Sequence, residues 1–306
     1  MLAESQGNLM KEDTMIFIAG CNGHIGKEIV KKCVVRSIPL RCFDIKPLEI
    51  KGMDTSGLDI VIGDITNLEQ VKKSTVGAKV IIDVIGLRKE TKKLTYEMVE
   101  HGGIKNLIEA ARENKIDHII YISVGGVAPH APAKTLQAKW NAEQSLINSG
   151  ITYTIFRPSG YFVDFLEYFA PTIIKKGKMQ AIGNGLKRIQ PVAPEDVAEA
   201  LLQSVGNEKV KNKIFSIAGP DTFTFNEVVE LVARVVGKKV KITHTPFWLL
   251  YIMFTVLGFS RDFLYRANRD SIITPEAEKA LKDTFRIDFQ RLEPWLRENL
   301  KKQGLI

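Results

Sequence analysis

An apolar run, Met15–Ala19, opens directly into Gly20-Cys21-Asn22-Gly23-His24-Ile25-Gly26-Lys27, and a helical apolar pattern follows over Ile25–Arg36. Glycines at every third position between a strand and a helix leave few folds open. Gly20 permits the tight turn, Gly23 lets backbone approach a ligand closely, and Gly26 lets the helix pack against the strand. The start of that helix offers unpaired N–H groups and the positive end of its dipole, which suits a pyrophosphate. The second strand ends Cys42-Phe43-Asp44, with Asp44 18 residues beyond Gly26. A carboxylate there accepts hydrogen bonds from an adenosine ribose and repels a 2′-phosphate. NAD is therefore expected over NADP, with NADP left open because Arg41 and Lys46 lie close in sequence. Gly63-Asp64-Ile65 follows the third strand, where Asp64 either faces adenine or caps a helix over Leu68–Ser74.

Short β-rich runs alternate with helical patterns through the first half. Strands are predicted at Met15–Ala19, Pro39–Phe43, Asp59–Ile62, Lys79–Val84, His118–Ile122 and Ile151–Phe156, and helices over Ile25–Arg36, Leu94–Asn114 and Thr135–Asn148. That alternation specifies an α/β fold, a doubly wound parallel sheet of the Rossmann type. The domain reading is a flexible tail over 1–14, a dinucleotide-binding domain over 15–156, and a smaller, mostly helical substrate region over 157–306 that partly interleaves with the sheet. In the second half, Tyr161, Phe162, Phe165, Tyr168 and Phe169 cluster, and strand signals appear at Lys178–Ile182 and Ile214–Ile217. Helices fit Pro194–Ser204, Thr224–Val236, with Thr224 and Glu227 as a capping box, and Leu292–Lys301.

Hydrophobic residues at 45% and charged residues at 25% exclude a disordered or fibrous chain. The net charge of +8 admits anionic partners without selecting one. No basic base-reading helix or aromatic-basic RNA motif is present, so no nucleic-acid partner is expected. Three cysteines, Cys21, Cys33 and Cys42, match no zinc spacing, and no metal site is expected. Met1–Thr14 is polar and lacks a signal-peptide apolar region, so the expected location is cytoplasmic. The segment Phe247–Phe259 runs 13 residues without a charge. A helix of that length spans about 20 Å, short of a bilayer core. It is either a buried helix or pocket wall, or an in-plane membrane contact extending through Arg261, Arg266 and Arg269. Oligomeric state is not specified.

The glycine spacing and several later segments resemble the short-chain dehydrogenase/reductase superfamily, in its extended and atypical branch. The matching segments are Gly63-Asp64-Ile65, Ile119-Ile120-Tyr121-Ile122-Ser123, Phe156-Arg157-Pro158-Ser159-Gly160-Tyr161, Pro194-Glu195-Asp196-Val197-Ala198, and Ala218-Gly219-Pro220 through Thr224, Glu227 and Gly237. The resemblance runs from Met15 to about Thr243 and is closest to the NmrA-like, isoflavone-reductase-like and divinyl-chlorophyllide-reductase-like group, which includes the NAD(P)-binding accessory subunit of respiratory complex I. It implies hydride chemistry on a nicotinamide cofactor. It also implies a cofactor-binding set of Gly20, Asn22, Gly23, His24, Ile25, Gly26, Asp44, Asp64, Ile65, Val84, Gly86, Lys139, Arg157 and Pro158.

The chain departs from the superfamily at its usual Tyr-x-x-x-Lys. Lys139 is in place, but Thr135 stands where the tyrosine would be, and Gly125 stands where the working serine often lies. A threonine hydroxyl is too weakly acidic to replace a phenol. In atypical reductases a lysine here serves without the tyrosine, so Lys139, Ser123 and Tyr161 are the catalytic candidates, with Tyr121 and His130 as further proton donors. Gly125-Gly126 suggests a mobile lid. Two functions follow as expectations. One is a reductase acting on a small apolar conjugated or carbonyl substrate. The other is a non-catalytic dinucleotide-binding protein that docks on a partner or membrane.

Overall fold

The computed structural model describes residues 14–257 and 262–306. Most of the expected tail, and Arg261 with the end of the apolar run, lie outside them. In chain order the elements are β1 (Ile16–Ala19), α1 (His24–Val35), β2 (Leu40–Asp44), β3 (Asp59–Ile62), α2 (Leu68–Ser74), β4 (Val80–Asp83), α3 (Gly103–Asn114), β5 (His118–Ile122), α4 (Lys134–Ile147) and β6 (Thr152–Pro158). There follow α5 (Ala170–Lys176), β7 (Lys178–Ile182), β8 (Arg188–Ile189), α6 (Pro194–Gln203), β9 (Lys213–Ile217), β10 (Phe223–Thr224), α7 (Phe225–Val235) and β11 (Lys241–Thr245). Four helices complete the chain: α8 (Phe247–Val256), α9 (Asp262–Ala267), α10 (Pro275–Thr284) and α11 (Leu292–Lys302). Glu97–Gly102 and Phe165–Phe169 wind as wider π turns leading into α3 and α5.

The main sheet has the order β3-β2-β1-β4-β5-β6-β9, and every pairing in it is parallel. Parallel strands buried on both faces need apolar residues at successive positions. β1 meets this by sending Ile16 and Ile18 to the face covered by α1 and α6, and Phe17 and Ala19 to the face covered by α3 and α4. The C-terminal half is interleaved with this layer. β9 pairs with β6, and Phe285 after α10 packs on Phe156 and Phe215. A third apolar cluster, centred on Phe162, α7 and Trp295 of α11, forms the smaller lobe.

The stretch from α9 to Ile273 crosses the strand ends on the side where β5 and β6 terminate. The Asp262 carboxylate accepts N–H bonds from Lys134 (3.1 Å) and Thr135 (3.0 Å), which caps α4 from a distance. Arg269 donates to Gly125 O, and Ser271 Oγ donates to Ser159 O. The Ser271 N–H reaches Arg188 O at 2.7 Å, and the Gln190 N–H reaches Ser271 O at 2.9 Å. These contacts roof the strand ends of the sheet. They hold the Gly125-Gly126 turn rather than leaving it as the free lid expected from its glycines.

Candidate functional site

The phosphate loop has the geometry its glycines require. Gly20 sits at φ +89°, a left-handed conformation that favours glycine. A Cβ on Gly26 would overlap Gly20 O and stand 2.7 Å from Cys21 Cα, so only glycine allows α1 to approach β1 this closely. Gly23 is the N-cap of α1, with no side-chain cap and no acid in the first turn. The first N–H groups of the helix, at His24, Ile25 and Gly26, are therefore left for an anion. Asp44 Oδ2 accepts the Asn22 N–H at 3.0 Å, while the Asn22 side chain donates to Pro47 O at 2.5 Å and accepts from the Glu49 N–H at 3.2 Å. Asn22 thus ties the phosphate loop to the end of β2 and the loop that follows it.

Asp64 does not cap α2. It accepts from the Thr66 N–H and Oγ1, both at 2.8 Å, while Asn67 is the cap and accepts from the Gln70 N–H. Ile65 is buried against Gly103, and its carbonyl accepts from Asn106. The Val84 N–H bonds Ala19 O at 3.0 Å, which fixes the turn after β4. Around Gly86 the space is open, with no atom within 4 Å of where a Cβ would stand. Arg157 is committed elsewhere: its guanidinium makes a two-pronged bond to buried Glu143 of α4, at 3.0 and 2.5 Å. The same strand places Pro158 at the end of β6. Arg157 therefore braces β6 against α4 through Nε and one Nη.

At the ends of β4 and β5 a buried charged cluster forms that the sequence reading only partly anticipated. Lys139 Nζ lies 2.7 Å from Glu100 Oε2 and donates to Ile122 O at 3.0 Å and Tyr121 Oη at 3.3 Å. An ammonium has three donors, so all three are used within the protein. Glu100 Oε1 also accepts the Leu87 N–H at 2.8 Å, linking the lysine to the turn after β4. Asp83 ends β4 beside them, and burial pushes its carboxyl up to about 7, against the opposing pull of its Ile85 hydrogen bond and Lys139. Burial likewise raises the phenols of Tyr121 and Tyr161, with Lys139 pulling both back down. Thr135 is buried and contributes its N–H to Asp262. Ser123 Oγ is buried without a hydrogen-bond partner.

A second set of polar contacts crosses from the phosphate loop to the π turn after β6. His24 Nε2 lies 3.1 Å from Glu167 Oε1 and 2.8 Å from Arg88, and Arg88 donates to Tyr168 Oη at 2.6 Å. Sequence reasoning missed Asp83, Glu100, Arg88, Glu167 and Asp262. Asp83 alone left a usable trace, an acid closing the apolar strand Val80–Ile82.

The residues fit a dinucleotide: an uncapped helix start behind a glycine loop, a carboxylate at the end of β2, open space at Gly86, and an unpartnered hydroxyl at Ser123. Residues 20–208 match the family model described as NAD(P)H-binding, and the chain belongs to that family. Photosystem II assembly factor Ycf39 of Trieres chinensis is 23% identical over 244 residues, 80% of this chain and 76% of that protein. The mitochondrial NADH-ubiquinone oxidoreductase 40 kDa subunit of Neurospora crassa is 27% identical over 281 residues, 87% and 73% of the two chains. Among solved structures, the NADPH complex of the Escherichia coli quinone oxidoreductase QOR2 superposes with TM-score 0.75 at 17% identity, covering 94% of this chain and 100% of its own. Thermus thermophilus UDP-glucose 4-epimerase with NAD gives TM-score 0.74 at 16% identity, covering 96% and 100%. These structural likenesses establish the shared fold. Among the described residues no cluster could hold a metal, and no helix is long and apolar enough to cross a membrane.

Proposed function

We propose that the chain is an NAD(P)-dependent reductase that delivers hydride to an apolar conjugated or carbonyl substrate at the ends of β4, β5 and β6. The observation that supports this is the buried Lys139–Glu100 pair with Tyr121 and Tyr161 around it. Taking an ion pair out of water costs several kcal/mol per ion, and here that cost falls at the strand ends where the nicotinamide of such folds lies. When bound, the reduced nicotinamide supplies the hydride. Lys139 has no donor left for a ribose, so its role is that of a fixed positive charge. Tyr161, half-buried after β6, carries its proton at neutral pH as any phenol does and is the candidate proton donor. Ser123 offers its hydroxyl to the substrate or the nicotinamide amide. Asp44 favours NAD.

Stopped-flow loss of reduced-cofactor absorbance with a panel of enones and quinones tests this reading. Turnover that falls sharply in Tyr161→Phe is expected. No turnover with any member, despite tight cofactor binding, overturns it.

A specific observation favours a second reading, a dinucleotide-binding protein that works on a membrane surface. Trp248 (63%), Leu249 (44%), Ile252 (51%), Met253 (42%) and Val256 (79%) stand exposed on one face of α8, and Leu257 (58%) continues it. Phe247, Leu250, Tyr251 and Phe254 form the inner face. The buried-helix expectation for this run is therefore not met. An apolar face on a helix too short to span, in a chain of net charge +8, suits the interface of an anionic bilayer. The relatives named as an assembly factor and as a subunit of a larger oxidoreductase fit a docked protein of this kind.

A further inference from the structure

Among the described residues, two buried side-chain atoms have no hydrogen-bond partner, Ser123 Oγ and Arg269 Nε. Both meet at the turn after β5. Ser123 follows β5, and the Arg269 guanidinium lies on Gly125-Gly126, donating to Gly125 O and filling the space where a Gly126 Cβ would stand. Arg269 forms no ion pair among the described residues, and Arg266 lies near enough to oppose its charge. A guanidinium with a buried orphaned N–H and no ion pair among the described residues is an arrangement that a bound anion would relieve.

The cofactor pyrophosphate is not that anion. Its loop ends β1, and the Ser123–Gly126 turn follows β5, with β4 between them. At the spacing of a sheet that separates the two by roughly 10 Å. Nor does Arg269 hang from a free arm. Asp262 anchors the segment to α4 ahead of it, and Ser271 anchors it to Ser159 and Gln190 behind it. The guanidinium is delivered from a held segment to the turn that follows Ile122, whose carbonyl accepts from Lys139.

We propose that Arg269, together with Ser123, binds a carboxylate of the substrate, so that the substrate is an apolar ring system bearing one acidic group. This rests on the reading of the strand ends as the substrate site, and it adds an anionic handle to the apolar body expected there. Gly126 is then required for more than its φ of +82°, because any side chain there would displace the guanidinium.

The test uses the full chain saturated with oxidised cofactor, so that no turnover occurs. An anthraquinone carboxylate and its neutral carboxamide are titrated by calorimetry. Wild type is expected to bind the carboxylate about tenfold tighter or more, a preference that shrinks in high salt. Arg269→Met is expected to bring the two affinities within about twofold, and Arg269→Lys to keep part of the preference. Equal affinities in wild type, or a preference that survives Arg269→Met, overturns the proposal. If Arg269→Met does not fold, a preference unchanged by both Arg269→Lys and high salt overturns it equally. A carboxylate preference without hydride transfer to any substrate would count against the reductase reading and leave this one standing.

Discussion

Glu100 holds Lys139 at 2.7 Å with the two side chains only 2% and 8% exposed, and the second carboxylate oxygen of Glu100 accepts from Leu87. One side chain from the π turn before α3 therefore fixes both the ammonium and the turn after β4. Removing one partner of a buried pair leaves an uncompensated charge, which typically costs about 3–5 kcal/mol. Glu100→Gln is expected to lose stability on that scale in urea unfolding. Lys139→Met in the Glu100→Gln background is expected to recover part of it, because no charge is then stranded. Additive losses in that double-mutant cycle would show that the two groups are not coupled.

Asp83 makes stability depend on pH in an unusual direction. Its carboxyl is pushed from an ordinary value of 3.8 to about 7 in the folded chain. Between those values the folded state holds the proton that the unfolded state has released, so this group's contribution to stability falls as pH rises from about 4 to about 7 and is flat above. Buried His118, lowered from 6.5 to about 4, acts in the opposite sense, since its contribution rises with pH across that interval. Comparing wild type with Asp83→Asn isolates the first effect, because Asn keeps an acceptor for the Ile85 N–H. The variant is expected to gain roughly 2–4 kcal/mol on wild type between pH 5 and pH 8. Parallel stability curves for the two proteins over that range would refute the assignment.

The reasons that made the sheet and the phosphate loop legible are local. Ile16–Ala19, Val80–Ile82 and Ile119–Ile122 are apolar at successive positions because both faces are covered, and Gly20 and Gly26 mark positions where a Cβ does not fit. Thr224 and Glu227 form the capping box their spacing specifies. What stayed hidden depends on partners far along the chain. Asp262 caps a helix more than 120 residues away, a relation no periodicity records. Glu100 lies in a stretch that reads as ordinary helix. Asp64 and Asn67 are both good caps by type, and only the backbone path chooses Asn67. The apolar run of α8 has the composition of a buried helix, and nothing in that composition says whether a neighbour covers its outer face.

Gly26 and Gly86 separate packing from ligand space. Gly26→Ala places a methyl on Gly20 O, and overpacking of this kind costs typically about 1–3 kcal/mol. A fall in thermal midpoint together with loss of cofactor binding is expected. Gly86→Ala adds its methyl to open space at an ordinary φ, so stability is expected to stay within about 0.5 kcal/mol of wild type. Its cofactor affinity is nevertheless expected to drop, measured by fluorescence titration with NADH. Unchanged affinity in Gly86→Ala would place the nicotinamide half elsewhere.

The proposed preference for NAD rests on the charge of Asp44. Its Oδ2 is held by the Asn22 N–H at 3.0 Å, which fixes the carboxylate beside the phosphate loop. Asp44→Asn keeps an acceptor and removes the repulsion of a 2′-phosphate. The ratio of NADPH to NADH affinity is expected to rise about tenfold, a change of about 1.4 kcal/mol. A wild type that already prefers NADPH would contradict the role given to Asp44.

The exposed face of α8 predicts a behaviour independent of catalysis. Trp248 and Ile252 lie one turn apart on that face, 63% and 51% exposed, while Leu250 on the inner face is buried. Replacing both with Ser removes outer apolar area without touching the packing against Tyr265, which involves Phe247 and Tyr251. Stability is therefore expected to hold within about 0.5 kcal/mol, as for surface changes generally. Wild type is expected to float with anionic vesicles and to stay behind with neutral ones, because the charge of +8 supplies the attraction that a short helix lacks. Flotation is expected to fall at least about fivefold in Trp248→Ser/Ile252→Ser, since each buried apolar side chain contributes about 1.5–3 kcal/mol. Flotation of both proteins alike would assign membrane binding to some other surface. No flotation of wild type would leave the face of α8 as a site for a protein partner.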